Sequence, residues 1–391
     1  MKIAIITERA NISLGGAERS VFELAARLSL MNSSVQILAA TGTAHSNRVK
    51  ILCGGAKRAD FSKFKKALKA HFAENHYDII HSTLPIDFAD IYQPRGGTYP
   101  EAIIRNAASY GNPIISAGKV VTSFINLRRQ AFSSAERKLC KNPAGPKIAA
   151  LSGYVKKQLQ KHYSLGDDRV TVVPNGVKIF QKANTAQTDK LKSQILEKLE
   201  LKEADEPVLF LFAANNFRLK GLRNLIKAAA MVAKRHTKRK ACIIVAGRDK
   251  PGPYRHLARM LKIKNHIVFL GQSPNIQNAL SIADVAVLPT YYDPSSRFIL
   301  EALALGKPVI TTRYNGAADL FTSDRHGKVY DSPDDIDSLA EALRFFTNTE
   351  NIEKYAQAIV SDSLDEQVSI KAHCQKLMVL YDSIVKEKTK K

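Results

Sequence analysis

Residues 208–221, VLFLFAANNFRLKG, decide the fold of this 391-residue chain. The six apolar residues Val208–Ala213 predict a buried strand, and the Asn-containing loop that ends at Gly221 predicts a turn. The residues that follow, including Leu225 and Ile226, read as a helix. Such a strand–loop–helix unit is the building block of a parallel sheet covered by helices.

The same alternation of apolar strands and amphipathic helices runs along most of the chain. A helix from about Ala17 follows the first strand, with Val21, Leu24, Ala25 and Leu28 on one face at helical spacing. The predicted strands are Lys2–Thr7, Val35–Ala39, Tyr77–Ser82, Ile148–Leu151, Val170–Val173, Val208–Ala213, Ala241–Ala246, Ile267–Leu270, Val285–Leu288 and Pro308–Thr311. This order indicates an α/β protein with parallel sheets.

The alternation is interrupted once, by a polar, lysine-rich stretch after Val177. We therefore expect a Rossmann-like domain over residues 1–178, a linker over 179–205 and a second Rossmann-like domain over 206–360. A C-terminal helix with a basic tail is expected over 361–391. Two such domains are expected to face a central cleft, because ligands bind at the carboxyl ends of parallel strands.

The net charge is +23, from 59 Lys and Arg against 36 Asp and Glu. A field of this size favours polyanionic partners, namely nucleic acid, anionic lipid head groups or phosphorylated glycolipids. No apolar run approaches the roughly 18 residues that a membrane-spanning helix needs. Met1–Ile6, followed at once by Glu8 and Arg9, is typical of a first strand rather than of a secretory signal.

A glycine pair, Gly15-Gly16, lies between the first strand and the first helix. Glycine lets a backbone approach an anion closely, and a helix N-terminus offers unpaired N–H groups. An ordinary tight turn explains the pair equally well. Neither the GxGxxG fingerprint of dinucleotide-binding proteins nor a P-loop is found, which counts against a dehydrogenase and a P-loop kinase.

Two cations, Arg218 and Lys220, come directly after the strand Val208–Ala213. Cations at the carboxyl end of a parallel sheet can neutralise a diphosphate leaving group. The alternative is a solvated basic loop, which is common in so basic a protein.

Two carboxylates, Asp293 and Glu301, follow the strand Val285–Leu288. A carboxylate can accept a hydrogen bond from each of two vicinal hydroxyls. Asp293 could instead be a turn residue before Pro294 or a helix cap, and Glu301 a surface charge. The apolar neighbours of Glu301 favour a buried carboxylate.

These elements occur together and in order: Gly-Gly-Ala-Glu-Arg (residues 15–19), the Arg218/Lys220 loop, the two acids with seven residues between them, and Gly-Lys-Pro-Val-Ile (residues 306–310). In this combination the chain resembles the retaining glycosyltransferases of family 4, which have the GT-B fold. Pro-Asn-Gly-Val (residues 174–177) matches the usual connection between their domains. Short segments near residues 84–87, 217–221 and 246–251 are similar to those of lipopolysaccharide-core glucosyltransferases.

The resemblance implies a role for each matching residue. Arg218 and Lys220 would bind the donor diphosphate, Glu301 the ribose and Asp293 the transferred sugar, while Phe298 would belong to the same donor site. Gly15 and Gly16 would face the diphosphate and the acceptor, and Gly271 would lie near the base. Apart from the resemblance, His81 is an acceptor-side candidate because it lies at the end of the strand Tyr77–Ser82, and Arg95 is a second candidate on that side. Asp293 stands where Glu is usual in the family, and Ser296 where glycine is common.

The implied enzyme takes a hexose from a nucleotide-sugar, with UDP-glucose the leading donor, and has neither cofactor nor metal. No DxD-type pair follows a strand, and Asp334-Asp335 reads as a helix cap. The acceptor would attack the donor sugar on the same face from which the diphosphate leaves, through an oxocarbenium-like state. A lone histidine such as His81 is also commonly structural.

Eight Lys and Arg but only two Glu lie in Glu101–Ala150, interleaved with Phe124, Ile125, Leu127 and Phe132. This mixture predicts either a docking region for an anionic membrane or glycolipid, or a solvated basic helix. The expected location is cytoplasmic, with peripheral attachment to the inner face of the inner membrane.

Three other functions compete with the transferase. A nucleic-acid-binding protein would explain the charge, but no aromatic–basic recognition motif is found, so we expect no specific nucleic-acid partner. A sugar-nucleotide epimerase would need an acid/base pair that the sequence does not reveal. A protein that keeps the fold and binds a polyanion or a membrane surface without catalysis is the third.

Overall fold

The structure is a computed structural model of the chain, and it describes residues 1–12, 15–44, 46–55, 59–123, 125–178, 185–272 and 276–390. Of Ala17, only the backbone is described. Several sequence expectations fall partly outside these residues, namely Leu14 beside the glycine pair, Phe124, and the first part of the expected linker.

The helices and strands of the described residues alternate nearly throughout. The strands are β1 (Lys2–Ala10), β2 (Ser34–Gly42), β3 (Val49–Ile51), β4 (Ile79–Ser82), β5 (Ile91–Tyr92), β6 (Lys147–Ala150), β7 (Val170–Val172), β8 (Val208–Ala213), β9 (Ala241–Ala246), β10 (Ile267–Gly271), β11 (Val285–Leu288), β12 (Val309–Thr312) and β13 (Gly327–Tyr330). The helices are α1 (Gly16–Leu30), α2 (Phe61–Glu74), α3 (Tyr99–Ala108), α4 (Pro113–Ser123), α5 (Leu127–Lys141), α6 (Gly153–Tyr163), α7 (Thr185–Lys198), α8 (Leu222–Ala233), α9 (Gly252–Met260), α10 (Ile276–Ile282), α11 (Arg297–Ala304), α12 (Ile336–Phe345), α13 (Thr349–Ser361), α14 (Leu364–Gln367) and α15 (Ile370–Thr389).

All ten predicted strands are present, within one or two residues of the expected bounds, except that β1 and β2 run further than predicted. The strands β3, β5 and β13 were missed. β3 and β13 each contain a lysine, and β5 has only two residues, so none of the three shows the longer apolar run that indicates a strand.

The chain forms two compact units. The first comprises Met1–Ala107, Ile114–Val177 and Ile370–Lys391, and the second comprises Ala108–Pro113 and Lys178–Ser369. The division after Val177 lies one residue from the expected boundary. The structure differs from the expected domains in two places: the described part of 179–205 contains α7 and groups with the second unit, and α15 groups with the first.

In the first unit, the sheet has the order β3-β2-β1-β4-β5-β6-β7 among the described residues, and every pairing is parallel. Ile3, Ile5 and Ile6 of β1 are fully buried, because helices cover both faces of a parallel sheet. One face packs on α1 and α15, and the other on α2 and α5.

The last helix, α15, completes the core of the first unit. Its residues Leu377 and Tyr381 pack in one cluster with Leu24 and Leu28 of α1. The helix is tied to the end of the first segment by a hydrogen bond of 2.8 Å from Ile370 N to Val177 O. The spacing of the apolar residues predicts a helix here, but it does not predict the unit against which this helix packs.

Tyr381 also explains the placement of His81, which lies in β4. Both side chains are fully buried, and His81 Nδ1 lies 2.7 Å from the Tyr381 hydroxyl. Burial, with smaller contributions from Arg95 and His373, lowers the pKa of His81 to about 3. His81 is therefore a neutral side chain of the core at neutral pH.

In the second unit, the sheet has the order β10-β9-β8-β11-β12-β13, again wholly parallel. Leu209, Phe210, Leu211 and Phe212 of β8 are at most 2% exposed. Each unit thus repeats the doubly wound strand order of Rossmann folds, in which the order reverses on either side of the first strand. In the second unit, this reversal lies between β8 and β11.

The loop after β8 approaches the end of β11 closely, and Gly221 makes this approach possible. Its φ is +79°, and a Cβ added there would lie 2.0 Å from Pro289 O. Tyr291 N, beyond β11, donates to Leu219 O at 2.9 Å. The two loops at the switch point are therefore held side by side.

Among the described residues, we find no helix that is both long and apolar enough to cross a bilayer.

Gly221→Ala is expected to destabilise the protein by about 1–3 kcal/mol, because the side chain meets Pro289 O and the backbone needs a positive φ. Gly252→Ala is the matched control, since Gly252 begins α9 and a Cβ there meets nothing within 4 Å. Chemical denaturation measures both. Equal stability of the two variants would contradict the close approach of the loops.

His81 makes stability depend on pH. Its folded pKa of about 3 lies below its unfolded value of 6.5, so protonation favours the unfolded chain, and its contribution is intact above pH 6.5 and falls below it. The expected loss approaches about 1.4 kcal/mol per pH unit well below pH 6.5. Denaturation of wild type and His81→Gln at pH 7.5, 6 and 5 measures the difference in slope; parallel slopes would contradict this account.

Candidate functional site

An ion pair joins the two loops at the switch point of the second unit. Lys220 Nζ donates to Asp293 Oδ2 at 2.7 Å and to Tyr292 O at 2.7 Å. The two side chains are 19% and 16% exposed. The sequence marks each residue separately as a site candidate, and the structure brings the two into contact at the carboxyl ends of β8 and β11.

The backbone of Asp293 is held on both sides by the segment after β12. Asp293 N donates to Tyr314 O at 2.9 Å, and Gly316 N donates to Asp293 O at 2.8 Å. Asp293 Oδ1 accepts from Ser295 N at 3.2 Å. Asp293 is therefore a turn residue, which is one of the two interpretations that the sequence left open for it. The backbone contacts with Tyr314 and Gly316 also fix its position.

Asn315 organises this segment, although the sequence does not predict it as a site residue. Its side chain is 1% exposed, and its Oδ1 accepts from Ser296 N and Ala317 N, each at 3.1 Å. Its Nδ2 donates to Thr311 Oγ1 at 3.0 Å. An Asn before Gly316 reads as an ordinary turn residue, so no local pattern distinguishes it.

Glu301 lies on α11, the helix that begins just after Asp293. Ser296 caps this helix, with its Oγ accepting from Ile299 N at 3.5 Å. Glu301 is 5% exposed, and Arg297 Nη2 lies 3.3 Å from its Oε1. The expectation of a buried carboxylate is confirmed. Phe298, one turn earlier, is buried in the same helix.

Arg218 lies in the same loop as Lys220 but contacts other groups. Its guanidinium stacks on Tyr110, with 3.8 Å between its Cζ and the ring centroid, and its Nη1 donates to Ser109 Oγ. Both partners belong to the short segment Ala108–Pro113, which groups with the second unit. The loop after β8 thus carries two cations, and the residues that contact Arg218 are different from those that contact Lys220.

Behind the loops, a buried network joins α8 to the segment before α12. Asn224 Nδ2 donates to Tyr291 OH at 2.9 Å and to Pro333 O at 2.7 Å. The hydroxyl of Tyr291 donates to Asp334, and burial together with this carboxylate raises its pKa. Asp335 caps α12 by accepting from Ser338 N at 2.9 Å. The helix-cap interpretation of the acidic pair is confirmed.

Gly271 ends β10 with a φ of +72°. Its carbonyl accepts from Gly247 N at 2.8 Å. It therefore lies at the carboxyl end of the same sheet as Lys220 and Asp293. The residues just after it, 273–275, are outside the described part of the chain.

In the first unit, the glycine pair is placed as expected at the start of α1. Gly15 is the residue before the helix, and its carbonyl accepts from Arg19 N at 3.1 Å. Arg95, which follows β5, is half-buried and donates to Ser20 Oγ of α1. Because His81 is buried, a structural role is favoured for this histidine over a role on the acceptor side.

Within the described residues, no group of three or more His, Cys, Asp or Glu side chains is arranged to hold a metal ion. Two cations, Arg218 and Lys220, lie in the loop after β8. Such a site can bind an anion beside a carboxylate that accepts hydroxyl hydrogen bonds.

Comparison with known families divides the chain in the same way. Residues 14–179 match the model of "Glycosyltransferase Family 4", and residues 194–360 match that of "Glycosyl transferases group 1". The second match contains Arg218, Lys220, Asp293 and Glu301. The two matches together span most of the chain.

Similar curated proteins share about a quarter of their residues with this chain over the matched region. The lipopolysaccharide glucosyltransferase WaaG of Escherichia coli (strain K12) is 26% identical over 219 residues, which are 56% of this chain and 57% of that protein. A D-inositol 3-phosphate glycosyltransferase of Corynebacterium glutamicum (strain R) is 25% identical over 52% of this chain and 51% of its own. The chain thus spans about half the length of the curated relatives it matches.

Solved structures show the same fold. A crystal structure of WaaG has a TM-score of 0.74 at 19% identity, with 98% of this chain and 99% of that chain covered. The Anabaena protein HepE, solved in complex with UDP-glucose, has a TM-score of 0.69 at 17% identity, with 98% and 100% covered. The GT-B fold predicted from the sequence is confirmed.

The sequence motifs, the two doubly wound sheets and the two family matches agree along the chain. The chain belongs to the glycosyltransferases, with a family 4 domain followed by a group 1 domain.

Proposed function

We propose that the chain is a retaining, metal-independent hexosyltransferase. Its donor is a UDP-sugar, with UDP-glucose the leading candidate, and its acceptor is a lipopolysaccharide core or another anionic glycolipid or glycan. The observation that carries this proposal is the contact between Lys220 and Asp293 at the switch point of the second unit, with Glu301 buried on the helix that follows Asp293. Ligands of doubly wound sheets bind at this point.

The names of similar proteins support the choice of substrates. WaaG of Escherichia coli is a lipopolysaccharide glucosyltransferase, and HepE was solved with UDP-glucose. The C. glutamicum relative acts on an inositol phosphate, which is also an anionic acceptor. The net charge of +23 fits acceptors of this kind.

Arg218 and Lys220 are proposed to bind the donor diphosphate. The Lys220 ammonium has three N–H groups, and its contacts with described residues use two of them, at Tyr292 O and Asp293 Oδ2. The third is available to a phosphate oxygen. As the bond between the sugar and the diphosphate breaks, negative charge grows on the leaving oxygen, and these two cations stabilise it.

The two carboxylates are proposed to bind hydroxyls. Asp293, beside Lys220, accepts hydrogen bonds from the transferred sugar, and Glu301 accepts them from the ribose. Burial strengthens these bonds because water competes less. Gly271 and Phe298 are proposed to lie on the nucleoside side of the donor.

Retention is proposed to follow from attack and departure on one face of the sugar. The bond from the anomeric carbon to the diphosphate breaks, and a bond to the acceptor oxygen forms. The acceptor's hydroxyl proton passes to the leaving phosphate oxygen, so the products are the glycoside and the nucleoside diphosphate. This route needs no protein nucleophile. In the first unit, Gly15, Gly16 and Arg95 are the proposed substrate contacts.

We also propose that helix α4 and the residues just after it dock on an anionic membrane at its cytoplasmic face. Ile114, Val121, Ile125 and Leu127 are 82%, 63%, 73% and 81% exposed, and Lys119 is exposed between them. Phe132, which the sequence pattern includes in this region, is buried in the first unit and does not contribute. Exposed apolar residues beside basic ones are typical of interfacial helices.

Calorimetry with UDP, GDP and ADP, without added metal, tests the donor site. Lys220→Ala and Glu301→Gln should each weaken binding of one nucleotide by about 10–100-fold, because each loses a charge-assisted hydrogen bond. Lys227→Ala on α8 is the matched control and should bind as wild type does. Product analysis with the corresponding sugar nucleotide then measures transfer.

Each alternative function has its own outcome in this experiment. Conversion of the donor to its epimer would replace the transferase with an epimerase. Nucleotide binding without transfer or hydrolysis would leave a protein that binds without catalysis. No saturable binding of any nucleotide would contradict the donor site altogether.

Co-sedimentation with phosphatidylglycerol-containing vesicles tests the membrane proposal. The triple variant Ile114→Ser, Ile125→Ser, Leu127→Ser should reduce partitioning at least about tenfold, since three apolar side chains no longer enter the interface. The control triple is Leu30→Ser, Met260→Ser, Val379→Ser, whose side chains are 75%, 67% and 72% exposed elsewhere. Equal effects of the two triples would reject α4 as the docking region.

A further inference from the structure

A second basic site lies in the second unit, along the outer flank of the edge strand β10. It is a cavity of about 280 Å³. It is lined by four cations, Lys198, Arg255, Arg259 and Lys264, together with Ala258 and residues 267–269. No residue of its lining is acidic.

The four cations come from three elements. Lys198 ends α7, Arg255 and Arg259 lie one turn apart on α9, and Lys264 precedes β10. All four side chains are exposed. The Arg255 guanidinium lies over the ring of Phe269, with its Cζ 5.4 Å from the centroid, and this contact orients it at the cavity.

None of these four cations forms a salt bridge with a carboxylate in the part of the chain that the structure describes. A neighbouring basic cavity behaves differently: it is lined by Arg235 and Arg239 but also by Asp205. There Arg235 pairs with Glu341 and Arg239 with Glu206. A high net charge alone therefore does not explain four unpaired cations around one cavity.

Four like charges around a small cavity repel one another, and a bound anion relieves this repulsion. Two arginines offer paired N–H groups that match phosphate oxygens, and two lysines add point charges. The cavity is near the lower limit of ligand-binding sites, so a phosphate-bearing group fits it better than a whole nucleotide-sugar. The site is distinct from the proposed donor site, whose residues follow β8 and β11.

We propose that this cavity binds a phosphomonoester or diphosphate group, as a second anion site of the chain. The group could come from a small solute or from a phosphorylated lipid head group. The proposal does not depend on the proposed function, since it uses none of the donor-site residues.

Calorimetric titration with inorganic pyrophosphate at low salt tests the site. The double variant Arg255→Gln, Arg259→Gln should lose binding by at least about tenfold at this site, while UDP binding stays as in wild type. The control Lys227→Gln, Lys354→Gln removes the same charge from α8 and α13 of the same unit. Titration of the Lys220→Ala variant measures how much of the pyrophosphate binding depends on the proposed donor site.

A loss confined to the cavity variant supports the proposal. Equal losses in the cavity and control variants would show attraction by net charge alone and overturn it, as would unchanged pyrophosphate binding in the cavity variant. Vesicles that carry phosphatidic acid or phosphatidylglycerol at equal charge distinguish the sources. A cavity-dependent preference for phosphatidic acid assigns the group to a lipid, and pyrophosphate binding without that preference assigns it to a solute.

Discussion

The ion pair between Lys220 and Asp293 is the interaction on which the candidate site depends. It joins the loops after β8 and β11, the two strands at which the sheet order reverses. Each charge is largely buried, so removing one partner would leave the other without compensation. The close approach at Gly221 brings the loops near enough for the pair to form. Backbone packing and charge pairing thus place the Lys220 ammonium and the Asp293 carboxylate at hydrogen-bonding distance.

A second layer holds this pair in place. Asn315 and the backbone after β12 fix Asp293 and the first turn of α11, and α11 in turn carries Glu301. Asn224 and Tyr291 anchor the other side through Asp334. A site built on strand ends and supported by buried hydrogen bonds is held more precisely than one on free loops. Rigidity of this kind suits a reaction in which charge develops at one oxygen atom.

Most of the fold could be predicted because the strands are apolar and the alternation is regular. The strands β3 and β13 were missed because a lysine interrupts each, and β5 because it has only two residues. The helix α7 was not recognised because only Thr188, Ile195 and Leu196 of its residues are buried. Of the candidate site, the charged residues could be named, since cations and acids after strand ends are unusual enough to notice. Their pairing, the part played by Asn315 and the return of α15 to the first unit depend on contacts distant in sequence, which no local pattern contains.

The use of Asp at position 293, where the family usually has Glu, has a structural consequence. A shorter side chain can be offset if the backbone moves forward by about one C–C bond, ~1.5 Å. Here the N–H and the carbonyl of Asp293 are both bound, to Tyr314 and Gly316, so the backbone is not free to move. The carboxylate of Asp293 instead accepts a hydrogen bond from the Lys220 ammonium. In the proposed enzyme, a sugar hydroxyl must therefore come to the carboxylate, and the shape of the site beside Lys220 selects the hexose.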